Sequence, residues 1–475
     1  MQFKTVCAYM FEEPIENHSN HIPDLVSRYE KMLRAQQTHF FDVYQFEDIA
    51  DHYLENGKFS DAITAANMAK KQHPFSAIFP LKKAHILSVL NQLEEAASEI
   101  KIAEALEPSH PDLFIVKATL LSKNDDHDGA IEIYQNAIEK ADDPSEIYPY
   151  LAYEYQSTQE YDKAIKYLKD ALVADPEDDI ALYNLAFCFE MTHEYHEAVR
   201  FLDEQINRNP YCELSWFHLG TFHQKLTEYD KAIKAFEYTI LIDDGFVAAY
   251  HETANCLIKQ KKYEAAAVAI EDSFVYDTPS GYSYMKLAKC YTQMSKHKKA
   301  VLLCKKALHE DPQLAEAWYE KGLNLDAIYQ YPESIYAIKK AVELDPENQD
   351  YIYTLAKAQC KYGYLAEAEN GFKELIDLGC KHTNVWIDYA KLLFDQDNID
   401  DAIYLIQRGI THNTDDYKLL CILAGYFLII ENKSEGENML KQALAANEKS
   451  RAYFFENFPY LTSDTTVANI IKSVE

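Results

Sequence analysis

Glu213–Phe246 reads ELSWFHLGTFHQKLTEYDKAIKAFEYTILIDDGF. Two antiparallel helices of about a dozen residues each fit in these 34 residues with two short turns. Small residues stand at the eighth position, Gly220, and the twentieth, Ala232, and Phe236 follows one helical turn later. Moving outward in steps of 34 from Val43, twelve such units run without insertion to Ser450. Their eighth positions are Ala50, Ala84, Ala118, Ala152, Ala186, Gly220, Ala254, Ala288, Gly322, Ala356, Ala390 and Ala424. Their twentieth positions are alanine in all but two units, where Ser334 and Gly436 stand. A bulky side chain where two helices approach most closely would force their axes beyond the usual ~8–10 Å, so the pattern is one of close packing. Position 24 supplies the apolar knob, from Ala66 and Ile100 through Phe372 to Leu440. Proline at position 32 in six units (Pro74, Pro108, Pro176, Pro210, Pro312, Pro346) ends the second helix.

A chain of 475 residues would suggest about three globular domains. A repeat array overrides that count, because it adds units without closing separate cores. With 48% apolar residues and only 12 glycines, the composition supports a continuous helical core. The net charge of −31 disfavours phosphate backbones and anionic membranes, so no nucleic acid and no membrane is expected as a partner. Nine cysteines stand singly with no CxxC pair, which suggests neither a disulfide framework nor a zinc knuckle. Free thiols fit a reducing cytoplasm. The most apolar run, Leu419–Ile430, is too short to span a bilayer and lies in register within a unit.

Trp216, Leu219, Gly220, Tyr229, Ala232 and Phe236 reproduce the tetratricopeptide pattern W-x₂-L-G…Y-x₂-A-x₃-F. Trp318 with Gly322, and Trp386 with Ala390, repeat its opening. The chain therefore resembles tetratricopeptide-repeat (TPR) proteins over residues 43–450. The resemblance implies an all-α, right-handed αα-superhelix: a TPR solenoid of twelve 34-residue helix-turn-helix repeats with helical caps. The units with Asp142, Asp244, Thr278, Cys380, Thr414 or Glu448 in place of the proline depart from the pattern, and their junctions are expected to bend differently. The layout and the ending FFENFPYL, 454–461, are similar to uncharacterised cytoplasmic arrays of Bacteroidetes-type bacteria, which implies no activity.

Residues 1–42 are expected to form an N-terminal segment and capping helix, and 451–475 a C-terminal capping helix, because the end repeats of a solenoid have an unpaired face. Leu25, Val26, Tyr29, Met32 and Leu33 form one stripe, and Val467, Ile470, Ile471 and Val474 another. Phe3, Val6, Tyr9, Met10 and Phe11 are expected to fold back onto the first repeat. Thr278–Gly281, TPSG, is the candidate for a soft joint.

In the family, positions 2, 5, 6, 9, 12 and 13 of each first helix line a concave groove. Carried over, the groove is aromatic at Tyr150, Tyr153, Tyr183, Phe187 and Phe217, with Asn184 and His218 between them. Exposed aromatics beside hydrogen-bonding groups suit a peptide-binding surface; alternatively, neighbouring repeats bury the rings against one another. Farther along stand His251, Asn255, Lys286 and Lys289, amid other lysines, a face suited to a carboxylate-bearing or phosphorylated partner or simply to solvent. A chaperone-tail carboxylate clamp is not supplied, since His251, Lys286, Glu316 and Glu320 replace its required residues. There is no phosphate loop, nucleophile elbow or HExxH, so no enzyme and no cofactor is expected. His193 and His196 lack further metal ligands at suitable spacing. Cys188, Cys256 and Cys290 share position 10, the register of a small packing residue. The expected function is a non-catalytic scaffold or adaptor that binds a peptide or protein segment in the groove. The alternatives are a self-associating structural subunit acting through caps or convex face and, less favoured, an RNA-binding helical repeat.

Overall fold

A computed structural model describes residues 22–35, 37–141, 143–413, 416–464, 467–468 and 470–471. Among these residues there is no strand. The chain divides between Asp243 and Asp244 into two compact units.

In the first unit α1 (Ile22–Arg34) precedes the pair α2 (Val43–Glu55) and α3 (Phe59–Gln72). Next come α4 (Ile78–Val89) with α5 (Leu93–Leu106), and α6 (Pro111–Lys123) with α7 (His127–Lys140). The unit continues through α8 (Tyr148–Ser157) and α9 (Tyr161–Ala174), then α10 (Asp179–Thr192) and α11 (Tyr195–Arg208), and ends with α12 (Glu213–Lys225) and α13 (Tyr229–Ile242). The second unit opens with α14 (Val247–Lys259) and α15 (Tyr263–Ser273), then α16 (Gly281–Gln293) and α17 (His297–Glu310). It proceeds through α18 (Ala315–Ala327) and α19 (Tyr331–Leu344), then α20 (Gln349–Lys361) and α21 (Leu365–Asp377). It closes with α22 (Thr383–Asp395) and α23 (Ile399–His412), α24 (Tyr417–Ile429) and α25 (Lys433–Ala446), and the shorter α26 (Ser450–Asn457). Each unit is a helical solenoid.

The small residues lie where close packing requires them. Every residue at positions 8, 20 and 24 is buried. A Cβ on Gly220 would stand 2.6 Å from the Phe236 ring, and one on Gly322 would stand 2.4 Å from Ile338. Position 8 therefore touches position 24 of its own repeat, and the size of one limits the other. Helix starts follow the same register, because position 34 is the residue preceding the first helix. Asp178, Ser280, Asn348 and Asp416 each accept there from backbone N–H groups of the helix they precede.

The turn inside each repeat places position 15 in the left-handed region, which composition alone did not reveal. Only Gly57 and Gly363 are glycines there, while Asn91, Asp125, Gln159, His193, Thr227, Lys261, Ser295, Tyr329, Asp397 and Glu431 also adopt it. A β-branched residue is the most strained of these, at roughly 1–2 kcal/mol. Thr227→Gly is accordingly expected to stabilise the first unit by about 1 kcal/mol in denaturant titration; a loss of stability would contradict the strain. His193 is such a turn residue, with its Nδ1 2.7 Å from the Tyr195 hydroxyl. No group of three or more His, Cys, Asp or Glu side chains among the described residues is arranged to hold a metal ion.

At the front, Leu25, Val26, Tyr29 and Met32 are buried, and Tyr29 meets the rings of Phe41, Phe46 and Tyr53. Leu33 leaves the expected stripe and is exposed, because neighbouring Met32 already occupies the buried edge of α1. At the back, Phe454 and Phe458 join Val467, Ile470 and Ile471 in one core with α24. That helix is covered on both faces, which accounts for the apolar run Leu419–Ile430. No helix among the described residues is long and apolar enough to cross a membrane. The fold-back of residues 1–21, the bends at Asp142 and Thr414, and Val474 lie outside the described residues.

Thr278–Gly281 lies inside the second unit, where Ser280 caps α16. A Cβ on Gly281 would sit 2.9 Å from the Ala307 carbonyl oxygen, so this glycine serves a close approach of α16 to α17.

Candidate functional site

The aromatic candidates stand on α8, α10 and α12 of the first unit. Tyr153, Tyr183 and Phe187 are 48%, 58% and 44% exposed, far more than packing filler would be. Tyr150 and Phe217 are half-buried: Tyr150 stacks on Tyr134 at 5.9 Å, and Phe217 rests against Phe236 at 5.7 Å. These two rings form a floor, and the other three form the surface. Asn184 is half-buried, and its backbone carbonyl accepts from Gln156 Nε2 at 3.3 Å. His218 lies beneath, buried, with the Tyr183 and Phe217 rings edge-on at 6.0 and 5.8 Å. Burial pushes its imidazole down to about 4, which keeps it neutral, and Nε2 has no hydrogen-bond partner.

The basic candidates belong to the second unit and are partly neutralised. Lys289 is ion-paired with Glu316. Lys286 is half-buried, its pKa lowered by burial, and its ammonium lies 5.7 Å from the centre of the Tyr282 ring. His251 is held below its ordinary value by burial and then by Lys286, and Asn255 is half-buried on the same helix. Glu320, raised by burial, adds a carboxylate to this face and accepts from Thr292. The lysine-rich stretch thus presents less positive potential than its composition suggests. Cys188 and Cys290 are buried thiols pushed up to about 11, and Cys256 is buried as well, so none of the three resembles an activated nucleophile.

The signature residues have a mechanical role. Leu219, Gly220, Ala232 and Phe236 are buried between α12 and α13, and Tyr229 is half-buried at the start of α13. The Trp216 indole donates to the Pro210 carbonyl at 3.0 Å and stacks on Tyr238 at 4.4 Å. Trp318 donates in the same way to Pro312. Tryptophan at position 4 and proline at position 32 of the preceding repeat therefore form one joint. Where Cys380 replaces the proline, the Trp386 indole N–H finds no acceptor.

A family model described as anaphase-promoting complex, cyclosome, subunit 3 matches residues 157–239, which include α10 and α12. The fold is a TPR-like solenoid. Among solved structures, the C-terminal part of a TPR repeat-containing protein from Cytophaga hutchinsonii is similar at 18% identity and TM-score 0.43, covering 50% of this chain and 98% of that one. YrrB, a TPR protein with an unusual peptide-binding site, is similar at 16% identity and TM-score 0.34, covering 39% and 95%. MamA is similar at 20% identity and TM-score 0.33, covering 34% and 94%. No curated protein matches the chain.

One polar group escaped the sequence reading. Lys82 and His85 are buried in α4, a helix covered on nearly every face. The available signal was a lysine and a histidine at two groove positions of an otherwise apolar helix.

Proposed function

We propose that this chain is a non-catalytic cytoplasmic scaffold that holds an extended or helical segment of a partner protein on the aromatic face of α8, α10 and α12. The supporting observation is the exposure of Tyr153, Tyr183 and Phe187 above the half-buried Tyr150 and Phe217. Such rings offer large contact area at low entropic cost, and the Asn184 amide adds a group able to fix a peptide backbone. Ordering a flexible partner opposes binding, so moderate affinity follows.

The test replaces only the exposed rings, as Tyr153→Ser, Tyr183→Ser and Phe187→Ser together, and leaves the floor intact. Wild type panned against displayed random dodecapeptides is expected to enrich a defined set, whose binding falls by at least about tenfold in the triple variant. Equal retention by the folded variant would remove this face from consideration. A second reading is self-association, favoured by the outward Tyr211 and Leu241, which are 78% and 79% exposed. A mass that rises with concentration in light scattering, and returns to the monomer value in Tyr211→Ser/Leu241→Ser, would support it.

A further inference from the structure

The lysines at groove positions of the second unit are paired or half-buried, but those on two of its second helices are not. On α17, Leu302 is 57% exposed, and Lys298, Lys299, Lys305 and Lys306 occupy the places one helical turn before and after it. On α19, Tyr336 is 55% exposed at the same position of the next repeat, with Lys339 and Lys340 one turn beyond it. The two helices flank α18, since Val301, Leu325 and Ala337 share one core. Trp318 and Lys321 of α18, both half-buried and outside the groove register, form a floor. The Trp318 ring meets the Tyr336 ring edge-on at 6.0 Å, and the Lys321 ammonium lies 4.4 Å from the centre of the Trp318 ring.

This surface keeps its charge. Glu271 is bonded to Lys299 at 3.4 Å and Glu343 to Lys340 at 2.5 Å. Lys298, Lys305, Lys306, Lys321 and Lys339 have no salt bridge among the described residues. Lys321 is lowered by burial and then by Lys305, so these two cations stand close enough to oppose one another. The positive strip ends on both sides. One repeat earlier, Glu264, Glu271 and Asp272 of α15 are exposed at the positions that Lys298, Lys305 and Lys306 hold on α17. One repeat later, Glu367 and Glu374 of α21 are exposed. A nucleic-acid backbone or an anionic bilayer would overrun the strip onto these carboxylates. Exposed charges are screened beyond about 8 Å, so a short segment would feel chiefly the lysines.

We infer that this face docks an acidic, amphipathic segment of a partner protein, with an apolar side chain between Leu302 and Tyr336 against Trp318 and carboxylates on Lys305, Lys321 and Lys339. Both chemical features of the segment follow from the surface. Leu302 and Tyr336 leave apolar area exposed in the middle of a charged patch, which a free phosphate would not cover. The ammonium groups are separate point charges, suited to carboxylates spaced along a chain. The face belongs to the second unit and does not rest on the aromatic face of the first.

The test pans displayed random dodecapeptides on the full chain, with excess Lys305→Glu/Lys339→Glu protein in solution to remove peptides that bind elsewhere. The expected survivors combine several Asp or Glu residues with a leucine or an aromatic residue. A synthetic survivor should bind Leu302→Ser/Tyr336→Ser at least about tenfold more weakly, and Lys305→Gln/Lys339→Gln likewise. The exposed pair Lys166→Glu/Lys234→Glu, on α9 and α13, makes the charge reversal in the first unit and should leave the affinity intact. Circular dichroism checks that each variant remains helical. No survivor, survivors without acidic residues, or full affinity in Leu302→Ser/Tyr336→Ser would each overturn the inference. Polyuridine or phosphatidylserine vesicles that bind wild type but not Lys305→Glu/Lys339→Glu would overturn it too, by assigning the face to nucleic acid or membrane.

Discussion

Phe236→Ala is expected to lower the stability of the first unit by about 3–5 kcal/mol, the usual cost of emptying a fully buried phenylalanine site. The ring fills the space above Gly220 and supports Phe217 at 5.7 Å, so a cavity there loosens both the repeat and the floor of the aromatic face. The converse change tests the same contact. Gly220→Ala inserts a Cβ 2.6 Å from that ring and is expected to cost about 1–3 kcal/mol. Combined with Phe236→Leu it should cost less than the sum of the two, because the smaller side chain makes room. A solenoid need not unfold in one step, so amide hydrogen exchange in α12 and α13 is the appropriate measurement. Additive effects, or protection unchanged by Phe236→Ala, would show that positions 8 and 24 are not coupled.

Acid is expected to destabilise the first unit through His85 and His218, by an amount comparable to a core mutation. Burial holds both imidazoles near 4 in the folded chain, with Lys82 and Lys123 adding to the effect at His85. The unfolded chain takes up these protons as pH falls through about 6.5, whereas the folded chain does so only near 4. Between those values the unfolded state binds more protons, so stability falls as pH falls. The linkage approaches about 1.4 kcal/mol per pH unit per histidine, or about 3 kcal/mol each across the window. Glu47, Asp51, Asp112 and Glu154 act in the opposite sense, because their raised values let the folded chain take up protons more readily. The informative quantity is therefore a difference between proteins. Denaturant titrations from pH 7 to 4.5 should show a shallower acid loss for His85→Leu/His218→Leu than for wild type. Parallel profiles would mean that both rings titrate normally.

The period, the helix pairs and the packing positions were legible because close approach of two helices admits few side chains. The sequence by itself determined that positions 8, 20 and 24 must be packing positions, whereas the structure decided that Gly220 and Gly322 meet Phe236 and Ile338. The sequence also determined the place of the turns, although their left-handed backbone at position 15 was hidden behind ten ordinary side chains. The candidate surface was only half legible. Groove register selected Tyr150, Tyr153, Tyr183, Phe187 and Phe217 alike, but packing against Tyr134 and Phe236 drew Tyr150 and Phe217 inward and left the other three exposed. Likewise, composition left the lysines near Lys289 open between a partner-binding face and a solvated one, whereas the structure shows a carboxylate one repeat away pairing with Lys289. Tertiary structure alone decided that Lys82 would be buried against Asp51 with His85 unpartnered beside it. Helical periodicity assigns a residue to a face of its own helix. Whether that face meets water, a ring or a charge is fixed by the neighbouring repeat, whose side chains vary independently of the register.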